Sequence, residues 1–493
     1  MELQSKPNAK GSTFPFMRIG TFELYNVARH ALKLYNNVGV TAQYVLPLDL
    51  IRHFAGIENL IYHVLKRVIQ RHPALSLCID DETSNTPLWI RPGTIDLSQI
   101  VRFRGNVSRE VLITESHNAW LDQVAELPLW RIVVGDVLPD QPDATQQLAG
   151  RVVNVGFFFH HAIGDGTSGV AFHLSFLETL KELAAEDAPV AVLEPVLVPP
   201  EFDLLPALEA HNLSLTTFFL ARQIFADFMP KRGDNQLWTG PIIQRVVAEA
   251  PKTCSLLLSL THAVSSSVAQ LCRDNKTTIT PLLTYLVARI LGTVYPSYSQ
   301  FSGAIPYSVR KFTGTSNSEI VLQVSGTHVH FSTVPSRGFI SCAASEEVDW
   351  DAVRACRSTI ESAAGSSKNH VVSLLPYIGA QSPWLAKKLG TRRSGSFEVS
   401  NLGMIDGELN VTEAARSGSK GTAPGLINSL AFSQPANILN EPYCFSVASV
   451  KGGEMVIVLN WQEGILEEET AKAVMRVLEM QLIGLVSPDE DAE

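Results

Sequence analysis

The chain has 493 residues, 45% of them hydrophobic and 18% charged, with a formal net charge of −10. That is too long for one ordinary core and too apolar for a disordered chain, so two or more globular domains are expected. The acidic balance, with a pI near 5.8 and no basic patch, argues against nucleic acid as a partner.

No apolar run approaches the ~20 residues that span a bilayer. The opening MELQSKPNAKGSTFPF lacks the apolar stretch of a secretory signal, so a cytoplasmic location is expected. Cys78, Cys254, Cys272, Cys342, Cys356 and Cys444 are scattered, with no CxxC pair and no zinc spacing. They read as reduced, buried thiols. In such a compartment the Asn106-Val107-Ser108 sequon carries no meaning. The closing SPDEDAE reads as a solvated acidic tail.

Along the chain, RIGTFELYNVARHALKLYNNV has helical spacing and VGVTAQYVLP alternates as a strand up to Pro47. From Asp49 to Gln70 the residues Ile57, Leu60, Ile61, Val64, Leu65 and Val68 form one apolar helical stripe. Pro73 ends that helix near His72. ALSLCID, LPLWRIVVGDV and GRVVNVGFFFHH follow as strands, and GTSGVAFHLSFLETLKELAAE as a helix.

Residues 185–206 carry five prolines without helical period and read as a linker between an N-terminal domain, 1–184, and a C-terminal domain, 207–493. The second half opens with helical LSLTTFFLARQIFADFM and continues with strand TCSLLLSLTHA. Helices SSSVAQLCRDN and TTITPLLTYLVARILGTVY come next, with Pro281 in a first turn, where proline is tolerated. FSGAIPYSVRKF reads as a strand running into a loop, and VLQVSGTHVHFSTV and GSFEVSNLGMID as strands. A hairpin turns at Lys451-Gly452-Gly453-Glu454, and an amphipathic helix with acids at its start closes the chain. Each domain is therefore expected to be α/β.

FFFHHAIGDG, residues 157–166, holds the densest chemistry. On a continuous strand, side chains alternate, so Phe157, Phe159 and His161 share one face and Phe158 and His160 the other. Both faces are apolar, which suits an interior strand. A histidine ending such a strand is desolvated and stays neutral at pH 7. Gly164 and Gly166 permit a tight turn. Asp165 has two readings: it orients a histidine, as in a triad, or it points away and holds the loop through a cation.

The spacing HHAIGDG resembles the HHxxxDG signature of the chloramphenicol acetyltransferase-like acyltransferases. That superfamily includes peptide-synthetase condensation domains, plant acyl-CoA transferases, dihydrolipoyl acyltransferases and fungal alcohol acetyltransferases. RHPALSL, LPLWRIVV, the motif strand, the proline-rich segment and SNLG fall in the superfamily's usual order. The N-terminal RIGTFELYNVARHALKLYNNVGVTAQY and FEVSNLG resemble the fungal alcohol acetyltransferases most. The late DFGWG of the plant branch is missing, and no carrier or adenylation module is attached.

The resemblance implies a two-domain fold, each domain a mixed sheet with helices, with the active site at their interface. It implies His161 as general base for a hydroxyl attacking an acyl-CoA thioester, most simply acetyl-CoA. Ser400 is implied as donor to the oxyanion, with Asn401 as a second donor. Asp165 is implied to be structural, paired with Arg310, and Gly166 to leave room for substrate. His160 is left as packing. Lys387, Lys388, Arg392 and Arg393 would meet the CoA phosphates or form a solvated loop. His328 and His330 lack the company a zinc site needs. No metal or bound cofactor is called for, and a monomer suffices. The acceptor would be a volatile alcohol or a hydroxylated secondary metabolite such as a terpenoid. Rival expectations are an amine acceptor, a carrier-protein donor, or a non-catalytic binding protein on the same fold.

Overall fold

The computed structural model of the protein describes residues 4–7, 13–137, 150–186, 195–198, 203–211, 213–221, 236–247, 249–345, 347–407 and 426–486. The acidic tail, much of the 185–206 segment and residues 222–229 of the expected helix after it lie outside these.

Two sheets carry the architecture. The strands that build them are β1 (Val38–Leu46), β2 (Val101–Asn106), β3 (Trp130–Asp136), β4 (Arg151–Phe159), β5 (Thr253–Leu260), β6 (Gln300–Ser308), β7 (Val324–Ser332), β8 (Ile340–Ser341), β9 (Phe397–Ile405), β10 (Leu426–Ser433), β11 (Tyr443–Val450) and β12 (Met455–Gln462). One sheet has the order β10-β1-β4-β3-β2 and the other β5-β12-β11-β9-β6-β7-β8. Both are mixed: β2 runs parallel to β3, and β9 runs parallel to both β6 and β11, while most other pairs are antiparallel. The division drawn at 185–206 therefore separates chain segments but not sheets. The edge strand beside β1 is β10, from the far end of the chain, and Val196–Leu197 pairs back onto Thr94–Ile95.

The helices that matter here are α1 (Thr21–Ala31), α2 (Leu48–His53), α3 (Ile57–Arg71), α4 (Arg109–Asn118), α5 (Gly166–Ala185), α6 (Ile279–Val294), α7 (Trp350–Ala364) and α8 (Glu468–Gly484). The helix expected across 49–70 is two helices. Ala55 and Gly56 between them have φ of 54° and 136°, left-handed or open backbone that no α-helix accommodates. ALSLCID is likewise split, into a 3-10 turn at Pro73–Ser76 and a strand at Cys78–Asp80. α7, α4 and β10 had no sequence expectation; their apolar periodicity is diluted by Ser, Arg and Glu. Among the described residues no single helix is long and apolar enough to cross a membrane.

β4 is buried on both faces, and each face has its own partner. Phe157 and Phe159 enter the main N-terminal core beneath α5, where Phe157 stacks on Phe172 with ring centroids 3.9 Å apart. Phe158 faces the other way, into a small cluster with Leu112 and Ile113 of α4 and with Val456 and Val458 of β12. That second cluster joins the two sheets. Fully burying each phenylalanine contributes about 1.5–3 kcal/mol, so the triple Phe fixes β4 within its sheet and presses that sheet on its neighbour. Gly169 allows a close approach in the same region, since a Cβ there would lie 2.3 Å from Val40 Cγ2.

A buried ion pair clasps the halves together. Asp165 is the N-cap of α5, and its Oδ1 accepts from the Ser168 backbone N–H at 2.9 Å. Oδ1 also accepts from Arg310 Nη2 at 3.1 Å, and Oδ2 accepts from the Gln323 N–H at 2.9 Å. Arg310, in a short helix just past β6, donates further to the carbonyls of Ser316, Glu319 and Val321. Asp165 and Arg310 are 3% and 2% exposed, so neither charge has water to fall back on.

Removing one partner of such a pair costs about 3–5 kcal/mol. Asp165→Asn is therefore expected to lower folding stability by at least ~3 kcal/mol in chemical denaturation, together with activity; full stability with selective loss of rate would contradict the clasp. Gly169→Ala is expected to cost ~1–3 kcal/mol in the same assay through the clash with Val40.

Candidate active site

β4 ends at Phe159, so the two histidines lie just beyond the strand, in the turn that leads to α5. Strand alternation therefore does not separate them; the turn does. The His160 N–H donates to the Leu129 carbonyl at 2.8 Å, and the His160 carbonyl accepts from the Ile163 N–H at 3.1 Å. His160 is 1% exposed, and its Nδ1 accepts from the Ala162 N–H at 3.0 Å. Its proton must then sit on Nε2, which faces Glu82 Oε1 at 3.9 Å. The same Glu82 oxygen lies 2.6 Å from His30 Nδ1 of α1. His30, Glu82 and His160 are close enough to converge on an ion, but a histidine that binds metal through one nitrogen ordinarily donates from the other. His160 Nδ1 is an acceptor, so the cluster reads as a carboxylate facing two histidine N–H groups.

His161 is partly buried and has the opposite tautomer. Its Nδ1 lies 2.8 Å from the Gly164 carbonyl, which can only accept, so Nδ1 carries the proton and Nε2 keeps a lone pair. The orienting role of a triad acid is thus filled by a backbone carbonyl three residues on. Asp165 is committed to Ser168, Gln323 and Arg310. Burial is the main force that lowers the His161 pKa to about 4, with the Arg29 cation adding to it; the Gly164 carbonyl and Asp165 oppose the shift without cancelling it.

His161 opens onto a cavity of about 190 Å³ whose lining includes Arg29, Tyr35, Gly166, Glu398, Ser400 and Gln434. α1, the motif turn, β9 and the end of β10 all contribute, so the space lies where elements from both halves meet. A second cavity of about 540 Å³ shares Gly166, Pro306, Val324 and Ser400 and extends past Asn401, Leu402 and Met404. A third, of about 1250 Å³, shares Pro306, Glu398 and Asn440 and extends past His328, His330 and Lys368. The smallest cavity, lined by both His161 and Ser400, shares residues with each of the other two.

The residues expected from the sequence fare differently. Ser400 lies on β9, is 8% exposed and lines both of the smaller cavities. Asn401 uses its amide locally: Nδ2 donates to Thr280 Oγ1 and Oδ1 accepts from the Gly403 N–H, which holds the bulge between Asn401 and Met404. It lines the second cavity and not the smallest one, with its amide engaged by Thr280 and Gly403. Gly166 lines the space, and a Cβ there would sit 2.5 Å from Leu402 Cδ2, so its missing side chain lets α5 approach β9. His328 and His330 stand exposed on β7 with parallel rings 6.3 Å apart.

The basic segment needs correction. Arg393 is 4% exposed and donates to the Pro241 carbonyl, so it is not presented to a phosphate. Arg392 donates to the Leu237 carbonyl at 2.7 Å, and Lys388 Nζ lies 3.7 Å from the Trp384 ring centroid. Lys387 is exposed, and none of the four lines the three cavities.

Sequence reasoning missed Arg29, Tyr35, Glu398 and Gln434. Arg29 lies over Tyr35 at 4.0 Å, and Tyr35 is 5.6 Å from His161 between ring centroids. A signal existed for one of them. Glu398 stands two residues before Ser400 on a strand, and alternation alone puts the two on one face.

Comparison with known proteins accords with this geometry. A family model described as alcohol acetyltransferase matches residues 110–482. An Aspergillus fumigatus protein named "Probable alcohol acetyltransferase crmB" is 23% identical over 480 residues, covering 92% of this chain and 96% of its own. A Fusarium pseudograminearum protein named "Probable alcohol acetyltransferase FCK4" is 25% identical, covering 94% of each chain. Among solved structures, the TRI3 trichothecene 15-O-acetyltransferase of Fusarium sporotrichioides superposes with a TM-score of 0.67 over 98% of both chains at 10% identity. The epimerization domain of tyrocidine synthetase B superposes with a TM-score of 0.58 at 13% identity, over 97% of this chain and 99% of that one. Those two likenesses are of fold, and the fold is the two-lobed, chloramphenicol acetyltransferase-like one. The chain belongs to the alcohol acetyltransferase family: it is an acyltransferase built on two mixed sheets.

Proposed function

We propose that the protein transfers an acetyl group from acetyl-CoA to a hydroxyl of a small secondary metabolite, with His161 as general base. The observation that carries this reading is the His161 tautomer. With Nδ1–H held by the Gly164 carbonyl, Nε2 is a neutral base in a cavity that Ser400 also lines.

The alcohol oxygen attacks the thioester carbonyl while Nε2 takes its proton, an assistance worth about 10²–10⁴-fold. The carbonyl oxygen becomes an oxyanion, and the Ser400 hydroxyl is the donor nearest to hand on β9. Collapse of the tetrahedral species breaks the carbon–sulfur bond. The departing CoA sulfur then recovers the proton from the imidazolium, which leaves the ester, free CoA and His161 neutral again. The two larger cavities that share residues with the His161 cavity offer room for two substrates. Every group named comes from one chain, so the reaction needs no second subunit.

Arg29 keeps positive charge near His161, which favours the neutral imidazole before attack.

Mass spectrometry of products formed from acetyl-CoA and a metabolite extract is expected to show mass gains of one acetyl group. His161→Ala is expected to reduce that turnover by about 10²–10⁴-fold with unchanged thermal stability; unchanged turnover would remove His161 from the role of base. With its folded pKa lowered to about 4, His161 stays unprotonated down through pH 5. The kcat/KM profile should therefore lack an acid limb near the ordinary histidine value of about 6.5 and fall only near pH 4. A limb centred near 6.5 would contradict the buried neutral base.

A further inference from the structure

Glu398 is an ionisable group that the reaction above does not use, although it stands at the reacting centre. It is 8% exposed and lies on the same face of β9 as Ser400. It lines the His161 cavity and the larger cavity beyond it, and so stands where the two join.

Its hydrogen bonds are lopsided. Oε1 accepts from Gln434 Nε2 at 2.6 Å and lies 3.9 Å from the Cys444 thiol. Gln434 cannot turn to serve otherwise, because its own carbonyl accepts from the Tyr35 hydroxyl at 3.0 Å. Oε2 has no hydrogen-bond partner among the described residues. Arg29, the nearby cation, donates to Asn26 and lies over the Tyr35 ring. A carboxylate offers about four acceptor positions, and covering Oε2 with a substrate that cannot donate to it is costly. An apolar substrate would incur that cost.

We infer that Glu398 recognises the acceptor by taking a hydrogen bond, at Oε2, from a second hydroxyl of the substrate, so that the acceptor class is polyhydroxylated molecules rather than monohydric alcohols. This rests on the proposed O-acetyl transfer and narrows its substrate. The surroundings agree with it. Asn26, Asn437 and Asn440 line the same cavity and add amide donors and acceptors. Burial, reinforced by the neighbouring Glu441 carboxylate, pushes Glu398 up to about 7. A hydroxyl suits that state because it donates to the carboxylate and accepts from the acid; an ammonium group could only donate. A site built to pair a substrate hydroxyl rejects the analogue lacking it, since the buried partner is then left unmet.

The test measures kcat/KM with acetyl-CoA for cyclohexanol and for cyclohexane-1,2-, 1,3- and 1,4-diol. The wild-type protein is expected to favour at least one diol by about tenfold or more, well beyond the factor of two that two hydroxyls give by statistics. Glu398→Leu should bring that ratio down to about two, and Glu398→Gln, which keeps an acceptor oxygen and the side-chain shape, should retain part of it. A wild-type ratio of two or less for every diol, or a ratio that Glu398→Leu leaves intact, overturns the inference while leaving O-acetyl transfer in place. Failure of the wild-type protein to acetylate any of the four alcohols counts against the transfer itself, and the inference falls with it. The wild-type ratio needs no variant, so a poorly folding Glu398→Leu does not shelter the idea.

Discussion

The contact between Asp165 and Arg310 fixes how the two halves of the chain meet. One carboxylate caps the first turn of α5, receives a backbone N–H from the strand region of the second half, and meets a guanidinium that is itself tied to three carbonyls. Because both charges are buried, they hold only in one arrangement; any slip of one half against the other would strand a charge away from water. The turn carrying His161 is therefore located relative to β6 and β9 by an interaction with little tolerance for error. Ser400 and Glu398 come from β9, and Tyr35 and Arg29 from the other half. The cavity exists because the clasp holds these surfaces at a fixed separation.

Around that cavity, solvation does most of the electrostatic tuning. Burial lowers the His161 pKa and raises that of Glu398, each toward its neutral form. A base and an acid in the same space thus avoid forming a mutual ion pair that would waste both. Arg29 strengthens the first effect and moderates the second, as a cation should beside an imidazole and a carboxyl. The backbone carbonyl of Gly164 settles which nitrogen of His161 is basic, and it does so without adding a second negative charge to the site.

The fold class and the strand-and-helix order were legible because apolar periodicity is a local property. β1, β4, β7, β9 and the β11–β12 hairpin all lie where alternation places them. The helix break at Ala55-Gly56 was not, since the stripe from Ile57 onward is continuous with helical residues before it, and only the backbone angles reveal the turn. α7 and β10 were hidden by polar residues that long-range packing tolerates. Asp165 and Arg310, named from the motif and its relatives, do pair, and His161 and Ser400 line one cavity. Arg29, Tyr35 and Gln434 could not be named, because they reach the cavity from segments hundreds of residues apart and no local pattern records that meeting. Within the clustered charges of 387–393, Arg393 departs from a solvent- or ligand-facing reading, since it turns inward to a carbonyl.

The position of β10 has a bearing on how the molecule comes into being. The sheet that supports the histidine turn begins with β1, yet the neighbour that covers one edge of β1 comes from nearly four hundred residues further along the chain. Until that neighbour docks, β1 presents an open row of peptide groups along its length, a surface that readily recruits other chains. The first half thus cannot mature ahead of the second as a finished unit. Loop closure over nearly four hundred residues separates β1 from β10, which makes the assembly slow by topology.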